Sequence, residues 1–392
     1  MFLEATMKRN PRLMEAAVRL HRDGHIRPNT YVIDMDALRQ NVRGLVQAAR
    51  QSGLELYMMT KQVGRNPAIA QEIAACGIEK AVAVDPWEAL TLAKAGIRLG
   101  NVGHLVQIPS GMLREIITQR PEVITLFSVA KAREVSAVAA ELGVTQKVLM
   151  KVVGPEDMIY EGQTGGFPEA ELVAAAQEIG ALPNLQIAGV TAFPCLLYDA
   201  EAAEFAKTPN FATVLRAAES LRQELNLEIE QVNTPSGTSI ATLPILAETG
   251  ATHGEPGHSF TGTTPSHANR DLPELPAMVY VTEVSHIYDN LAYVYGGGFY
   301  RRSNMRQAAV GKGWPEMAAN ILAVREIAPE AIDYHGVLSL ESGRAQVGDT
   351  AIYSFRTQIF VTRAEVALVY GISKGEPKLA GIYDSLGRES QW

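Results

Sequence analysis

The sequence predicts an α/β architecture: a (β/α)8 barrel of the TIM type followed by a C-terminal, mainly β domain. Three observations carry this reading. Strand-like and helical runs alternate over about 200 residues, the rhythm of a barrel or of a doubly wound sheet. No GxGxxG follows LELYMMT, the first strand-like run of that region, so the main mark of a dinucleotide-binding open sheet is missing. Beyond about residue 270 the pattern changes to short runs rich in β-branched and aromatic residues and broken by glycine, which reads as β structure.

The elements follow in order. Leu13, Ala16, Ala17 and Leu20 recur at helical spacing, so 6–24 reads as a helix. TYVIDM (30–35) reads as a strand that joins the β domain, and 36–51 as a helix. Eight barrel strands are expected at 54–60, 80–85, 102–108, 123–129, 147–153, 185–193, 229–234 and 252–257. Between them lie helical stretches such as PWEALTLAKAG and NFATVLRAAESLRQELN, which end on Gly or Asn as helices tend to. DLPELP (271–276) marks the change of domain. AMVYVTEVSHIY, LAYVYGGGFY, DTAIYSFRTQIFVT and EVALVYGI are the expected strands after it. The expected division is an N-terminal helix and strand at 1–35, the barrel at 36–268 and the β domain at 269–392.

Composition narrows the function classes. A net charge of −8 opposes a nucleic-acid partner, which needs a basic face. Cys76 and Cys195 sit in apolar contexts without metal-site spacing and read as buried free thiols. That usage points to a reducing, cytoplasmic compartment. MFLEATMKRNP carries Glu4 and lacks the apolar core of a signal peptide, and no apolar run approaches the ~20 residues of a membrane span.

Barrel chemistry sits at the C-terminal ends of the strands. The expected strands end at or near Lys61, Asp85, His104, Gln107, Ser128, Lys151, Phe193, Asn233, Thr234 and Glu255. A lysine at the mouth of an apolar strand loses water, which favours the neutral amine that attacks a carbonyl. By position alone, Lys61 also reads as an ordinary loop lysine. In QVNTPSGTSIATL, Ser236, Gly237 and Thr238 form a small polar turn before a helix start, a geometry suited to phosphate and also to plain capping. Glu255 is an acid at a strand end, followed by Pro256 and Gly257, and Gly257 permits close backbone approach. The three segments converge on a phosphate-bearing aldehyde cofactor held by a lysine.

On these segments the chain resembles the fold-type III pyridoxal phosphate enzymes, the alanine-racemase-like family, and within it the YhfX-type proteins. TYVIDMDALRQNVRGL looks like that family's entry strand and helix, TKQVGRNP like its cofactor-lysine motif, NTPSGTS like its phosphate segment, and GEPGH like the segment facing pyridine nitrogen and phosphate. The resemblance implies pyridoxal 5′-phosphate as cofactor, Lys61 as its Schiff-base residue, and Asn233, Ser236, Gly237, Thr238, Glu255, Gly257 and His258 as its other contacts. It implies an enzyme acting at the α-carbon of a small amino acid. An amino-acid racemase is the leading expectation. A lyase of the decarboxylase, D-threonine aldolase or D-serine dehydratase kind, or a non-catalytic cofactor carrier, is the alternative. Lys61 would serve one face of the substrate, and Tyr295 or His104 the other.

Departures from the family pattern are informative. Alanine racemases place Arg beside the pyridine nitrogen, whereas this chain has Glu255, which favours a protonated ring. Relatives that use a metal carry His and Cys in the β domain, where this chain has Gln358 and Phe360, so no catalytic metal is expected. Arg356 and Gln358 are the expected contacts for the substrate's carboxylate and polar group. A homodimer with a site shared between subunits is expected from the same resemblance.

Overall fold

The structure, a computed structural model, describes residues 2–300, 303, 305–328 and 330–390. The chain forms two compact units. One comprises Met1–Val42, Lys61–Ile69 and His258–Trp392, and the other Arg43–Thr60 and Ala70–Gly257. The first unit takes in the opening turns of the helix Met35–Ser52 and the segment Lys61–Ile69 and resumes at His258, so its limits differ from the expected boundaries at 35 and 268.

After β1 (Thr30–Asp34) come the strands of the second unit: β2 (Glu55–Met59), β3 (Lys80–Ala83), β4 (Arg98–Val102), β5 (Val123–Leu126), β6 (Gln146–Val153), β7 (Phe167–Pro168), β8 (Leu185–Thr191), the hairpin β9 (Leu196–Asp199) and β10 (Glu204–Lys207), β11 (Gln231–Asn233) and β12 (His253–Gly254). Eight of them, β2, β3, β4, β5, β6, β8, β11 and β12, pair in parallel in that order, and β12 closes on β2. This is the expected eight-stranded barrel. Closure depends on glycine at one point: a Cβ on Gly189 of β8 would fall 1.8 Å from the carbonyl oxygen of Gln231 on β11.

The third barrel strand is not VGHLVQI (102–108) but RLGNV, Arg98–Val102. Gly103 turns the chain at φ 89°, and Gln107 holds the turn by donating to the carbonyls of Gly103 (3.0 Å) and Thr125 (2.8 Å). The apolar run after Val102 lines a loop instead of continuing the strand. His104 consequently lies beyond the strand end. The expected strand 252–257 also shrinks, to His253–Gly254.

In the first unit the expected helix 6–24 is two helices, Phe2–Arg9 and Pro11–Arg22. Pro11 has no N–H to continue the first helix, and Asn10 caps the second by accepting from the Leu13 N–H. β1 pairs antiparallel with β13 (Met278–Tyr288) and parallel with β19 (Glu365–Tyr370). The sheet also holds β14 (Leu291–Tyr295), β15 (Gln307–Gly311), β16 (Ile321–Arg325), β17 (His335–Ser339), β18 (Thr350–Tyr353) and β20 (Lys378–Asp384), and β14 pairs back to β13. Leu13, Met14, Ala17 and Leu20 pack on Val32, Val279, Val281, Ile352 and Val369. A buried Leu or Met contributes ~2 to 3 kcal/mol, so this helical face anchors the sheet.

His21 is buried in the last turn of the same helix, with Nδ1 2.8 Å from Thr350 Oγ1. Burial, with the nearby charge of Arg22, lowers its pKa from 6.5 to about 4. Glu283 Oε2 is 3.6 Å from Nε2, beyond hydrogen-bond reach, and its side chain is partly exposed. Between those two pKa values the unfolded chain binds a proton that the folded chain refuses. Stability should therefore be undiminished above 6.5 and fall as pH drops toward 4. We expect His21→Gln to remove about 2 kcal/mol of the stability difference between roughly pH 7.5 and pH 5, read by urea unfolding. An unchanged slope would show that His21 does not titrate with folding.

Candidate active site

The barrel's C-terminal end is polar and buried. Glu255 follows β12 directly, its side chain 1% exposed. Asn233, the last residue of β11, donates from Nδ2 to Glu255 Oε1 at 3.0 Å, and the Glu255 N–H donates to Thr238 Oγ1 at 3.1 Å. His104 brings Nε2 to 3.8 Å from Glu255 Oε2, with its ring edge-on to Phe193 at 5.7 Å. The loop following β4 thus carries a buried imidazole next to a buried carboxylate. Lys151 stands on β6, with Nζ 3.2 Å from the Gln163 carbonyl and 4.4 Å from the Phe127 ring centre. Burial lowers its pKa to about 8. Lys151, Thr191 and Asn233 share one row across β6, β8 and β11.

The turn after β11 is only partly free for a ligand. Ser236 and Gly237 take φ values of 101° and 67°. The Ser236 hydroxyl accepts from the backbone N–H groups of Cys195 and Leu196 (3.1 Å each) and donates to the Leu196 carbonyl (2.7 Å). Its side chain is therefore spent on the neighbouring loop, and an anion here would meet backbone N–H groups.

In the other unit, Lys61 opens a single 3-10 turn, Lys61–Val63, two residues beyond the end of β2. His258, three residues after Glu255 in the chain, donates from Nε2 to the Thr357 carbonyl at 2.8 Å. Burial, then the charges of Arg356 and Lys61, hold its pKa well below the ordinary value, so the ring is neutral. His258 thus braces the stretch that bears Arg356 and Gln358. Gln358 Oε1 is buried with no hydrogen-bond partner among the described residues. The ring of Phe360 lies under the Arg65 guanidinium at 5.3 Å. Tyr295 ends β14, 45% exposed, opposite His335.

Two strand-end candidates have structural work instead. Asp85 caps the helix Pro86–Lys94 and Ser128 the helix Val129–Glu141, each accepting a backbone N–H. One residue was missed: Glu88, fully buried, accepts from the Thr60 hydroxyl at 2.6 Å and from the Val84 N–H at 2.9 Å. It fixes the strand end immediately before Lys61. Asp85 and Glu88 at N-cap and N3 are a capping-box spacing, which was the available signal.

The description "Alanine racemase, N-terminal domain" matches residues 33–265, more than half of the chain, and "YhfX-like, C-terminal domain" matches 279–379. The chain belongs to the alanine-racemase-like family. Its sequence is 43% identical over 388 residues to a protein of Escherichia coli K12 described as "Uncharacterized protein YhfX", covering 99% of each chain. It is 27% identical over 305 residues to an alanine racemase of Syntrophobacter fumaroxidans, covering 75% of this chain and 76% of the other. Among solved structures, D-threonine aldolase from Filomicrobium marinum matches at TM-score 0.63 and 18% identity (92% and 95% covered). Clostridium difficile alanine racemase matches at 0.64 and 16% (92% and 99%). These structural likenesses show the fold, fold type III of the pyridoxal phosphate enzymes. Racemases and lyases both occur on it.

Residues of the barrel end fit that cofactor. Thr191 Oγ1, Asn233 Oδ1 and Thr234 Oγ1 are buried with no hydrogen-bond partner among the described residues. Buried polar atoms left unmatched cost free energy, so such a cluster suits a polar ligand. Among the described residues, no helix is long and apolar enough to cross a membrane.

Proposed function

We propose that this protein is a pyridoxal phosphate enzyme that removes the α-proton of a small amino acid, and that it is an amino-acid racemase. The observation carrying the reading is the buried Glu255 carboxylate, braced by Asn233 with His104 alongside, at the end of the barrel where this fold does its chemistry. Pyridoxal phosphate, when bound, withdraws electrons from the substrate's α-carbon. Lys61 would hold it covalently and carry the proton on one face. Glu255 would keep a proton on the ring nitrogen. Backbone N–H groups of the 236–238 turn and Gly257 would meet the phosphate, with His258 supporting Arg356. Arg356 and Gln358 would orient the substrate's carboxylate and polar group. His104, or Tyr295 across a homodimer, would return the proton on the opposite face.

A second reading, a lyase, is favoured by Glu255 itself, because a protonated ring also supports cleavage of other α-bonds. D- and L-amino acids and amino-phosphonates should be screened in deuterated water for exchange at the α-carbon. Exchange with inversion and conserved mass balance supports the racemase. Exchange or turnover with loss of a fragment supports the lyase. Absence of exchange with the whole panel, in protein that holds the cofactor, would remove both.

A further inference from the structure

At the opposite, N-terminal end of the barrel stands a second group of ionisable residues that the proposed chemistry does not use. Glu55 opens β2, Glu122 immediately precedes β5, and His253 opens β12. One ligand atom from each lies within 4.8 Å of the others. We propose that these three residues bind a divalent metal ion of the zinc type, which ties together strand starts on different sides of the barrel.

Acidic residues gathered at a surface are not a site in themselves, but two buried atoms here want a ligand. His253 is 5% exposed, and its Nε2 has no hydrogen-bond partner among the described residues. That nitrogen faces Glu55 Oε2 at 3.6 Å. The separation is too long for a hydrogen bond. It is close to the ~3.4 Å expected between two ligand atoms bonded tetrahedrally to one zinc at ~2.1 Å. His253 Nδ1 meets Thr252 Oγ1 at 2.7 Å, the outer contact that orients a ligating imidazole. Gln231, 2% exposed, supplies the second atom: its Nε2 donates to Glu122 Oε1 (3.1 Å) and Tyr57 Oη (3.0 Å), while its Oε1 has no partner among the described residues.

Lys80 does not satisfy the group. Its ammonium takes Glu55 Oε1 and Glu122 Oε2, at 2.5 Å each. The oxygen of Glu55 that faces the imidazole takes no bond from Lys80, and two carboxylates against one ammonium leave one net negative charge. A nitrogen and carboxylate oxygens are a donor set zinc accepts. Ligand atoms up to 4.8 Å apart must draw in by roughly 1 Å to share one ion, and the side chains of Glu55 and Glu122 are exposed enough to move.

The full-length protein, stripped with chelator and dialysed, should be titrated with zinc chloride alone in a calorimeter, and its metal content counted after desalting. One zinc per chain is expected, with a higher melting temperature. Glu55→Gln and His253→Ala should each weaken binding by at least roughly tenfold. Glu55 is half exposed, so Glu55→Gln keeps the question open to test if His253→Ala fails to fold. No stoichiometric zinc in the parent protein, or unchanged affinity in either folded variant, would overturn the proposal.

Discussion

Lys61→Ala should yield a folded protein that holds no covalent cofactor and turns over at least roughly 10³-fold more slowly, the scale set by losing both a nucleophile and an acid–base group. Lys61 is only part-buried in a short 3-10 turn, so the substitution leaves no large cavity and the melting temperature should hardly move. The rival is Lys151. Burial drops its pKa to about 8, so a useful fraction of its amine is neutral near physiological pH, which is the condition for attacking an aldehyde. Contacts with the Gln163 carbonyl and the Phe127 face, however, favour its ammonium form and hold it in place. Borohydride treatment of the parent protein followed by peptide mapping decides between them. A pyridoxyl group on Lys61 is expected, and a label on Lys151, or on no lysine, would sink the assignment.

Glu255→Gln should slow α-proton exchange by on the order of 10²-fold while leaving cofactor content intact. Gln keeps the shape and the bond from Asn233 Nδ2, since an amide oxygen still accepts. It loses the negative charge. An ionised carboxylate holds a ring-nitrogen proton by charge and hydrogen bond together, and charge-assisted bonds are about twice as strong as neutral ones. Removing one such electrostatic stabiliser from a water-poor site costs about 3 kcal/mol in the transition state. The neighbouring His104, 3.8 Å from Oε2, would lose its anionic neighbour at the same time. His104→Asn therefore belongs beside Glu255→Gln: racemisation lost in both directions while the α-proton of one enantiomer still exchanges with solvent in His104→Asn, against slowed exchange of both enantiomers in Glu255→Gln, would separate proton return from electron withdrawal. Parent-rate exchange in Glu255→Gln would mean that the carboxylate is not the nitrogen's partner.

Local signals carried the barrel. The alternation of apolar runs with capped helices, and the change to short β-branched strands after DLPELP, depend on neighbours in sequence, and both parts of the fold were legible from them. The motif TKQVGRNP and the segments NTPSGTS and GEPGH marked Lys61, the 236–238 turn and Glu255 as candidates for the same reason: each is a contiguous stretch at a strand end. Where a residue's partner is remote in the chain, sequence was silent. Nothing local shows that the Ser236 hydroxyl is consumed by Cys195 and Leu196, that the His258 ring is committed to Thr357, or that Glu88 clasps Thr60. The third strand lies ahead of the apolar run that suggests it, because a loop fastened by Gln107 buries part of that run as a strand would. Barrel closure is the reason for the largest gap: it brings β2, β5 and β12 round to one end, so Glu55, Glu122 and His253 meet although more than sixty residues separate each from the next. Only the tertiary structure decides which polar atoms are left to seek a ligand, because burial, not residue type, sets the cost of leaving them unmatched.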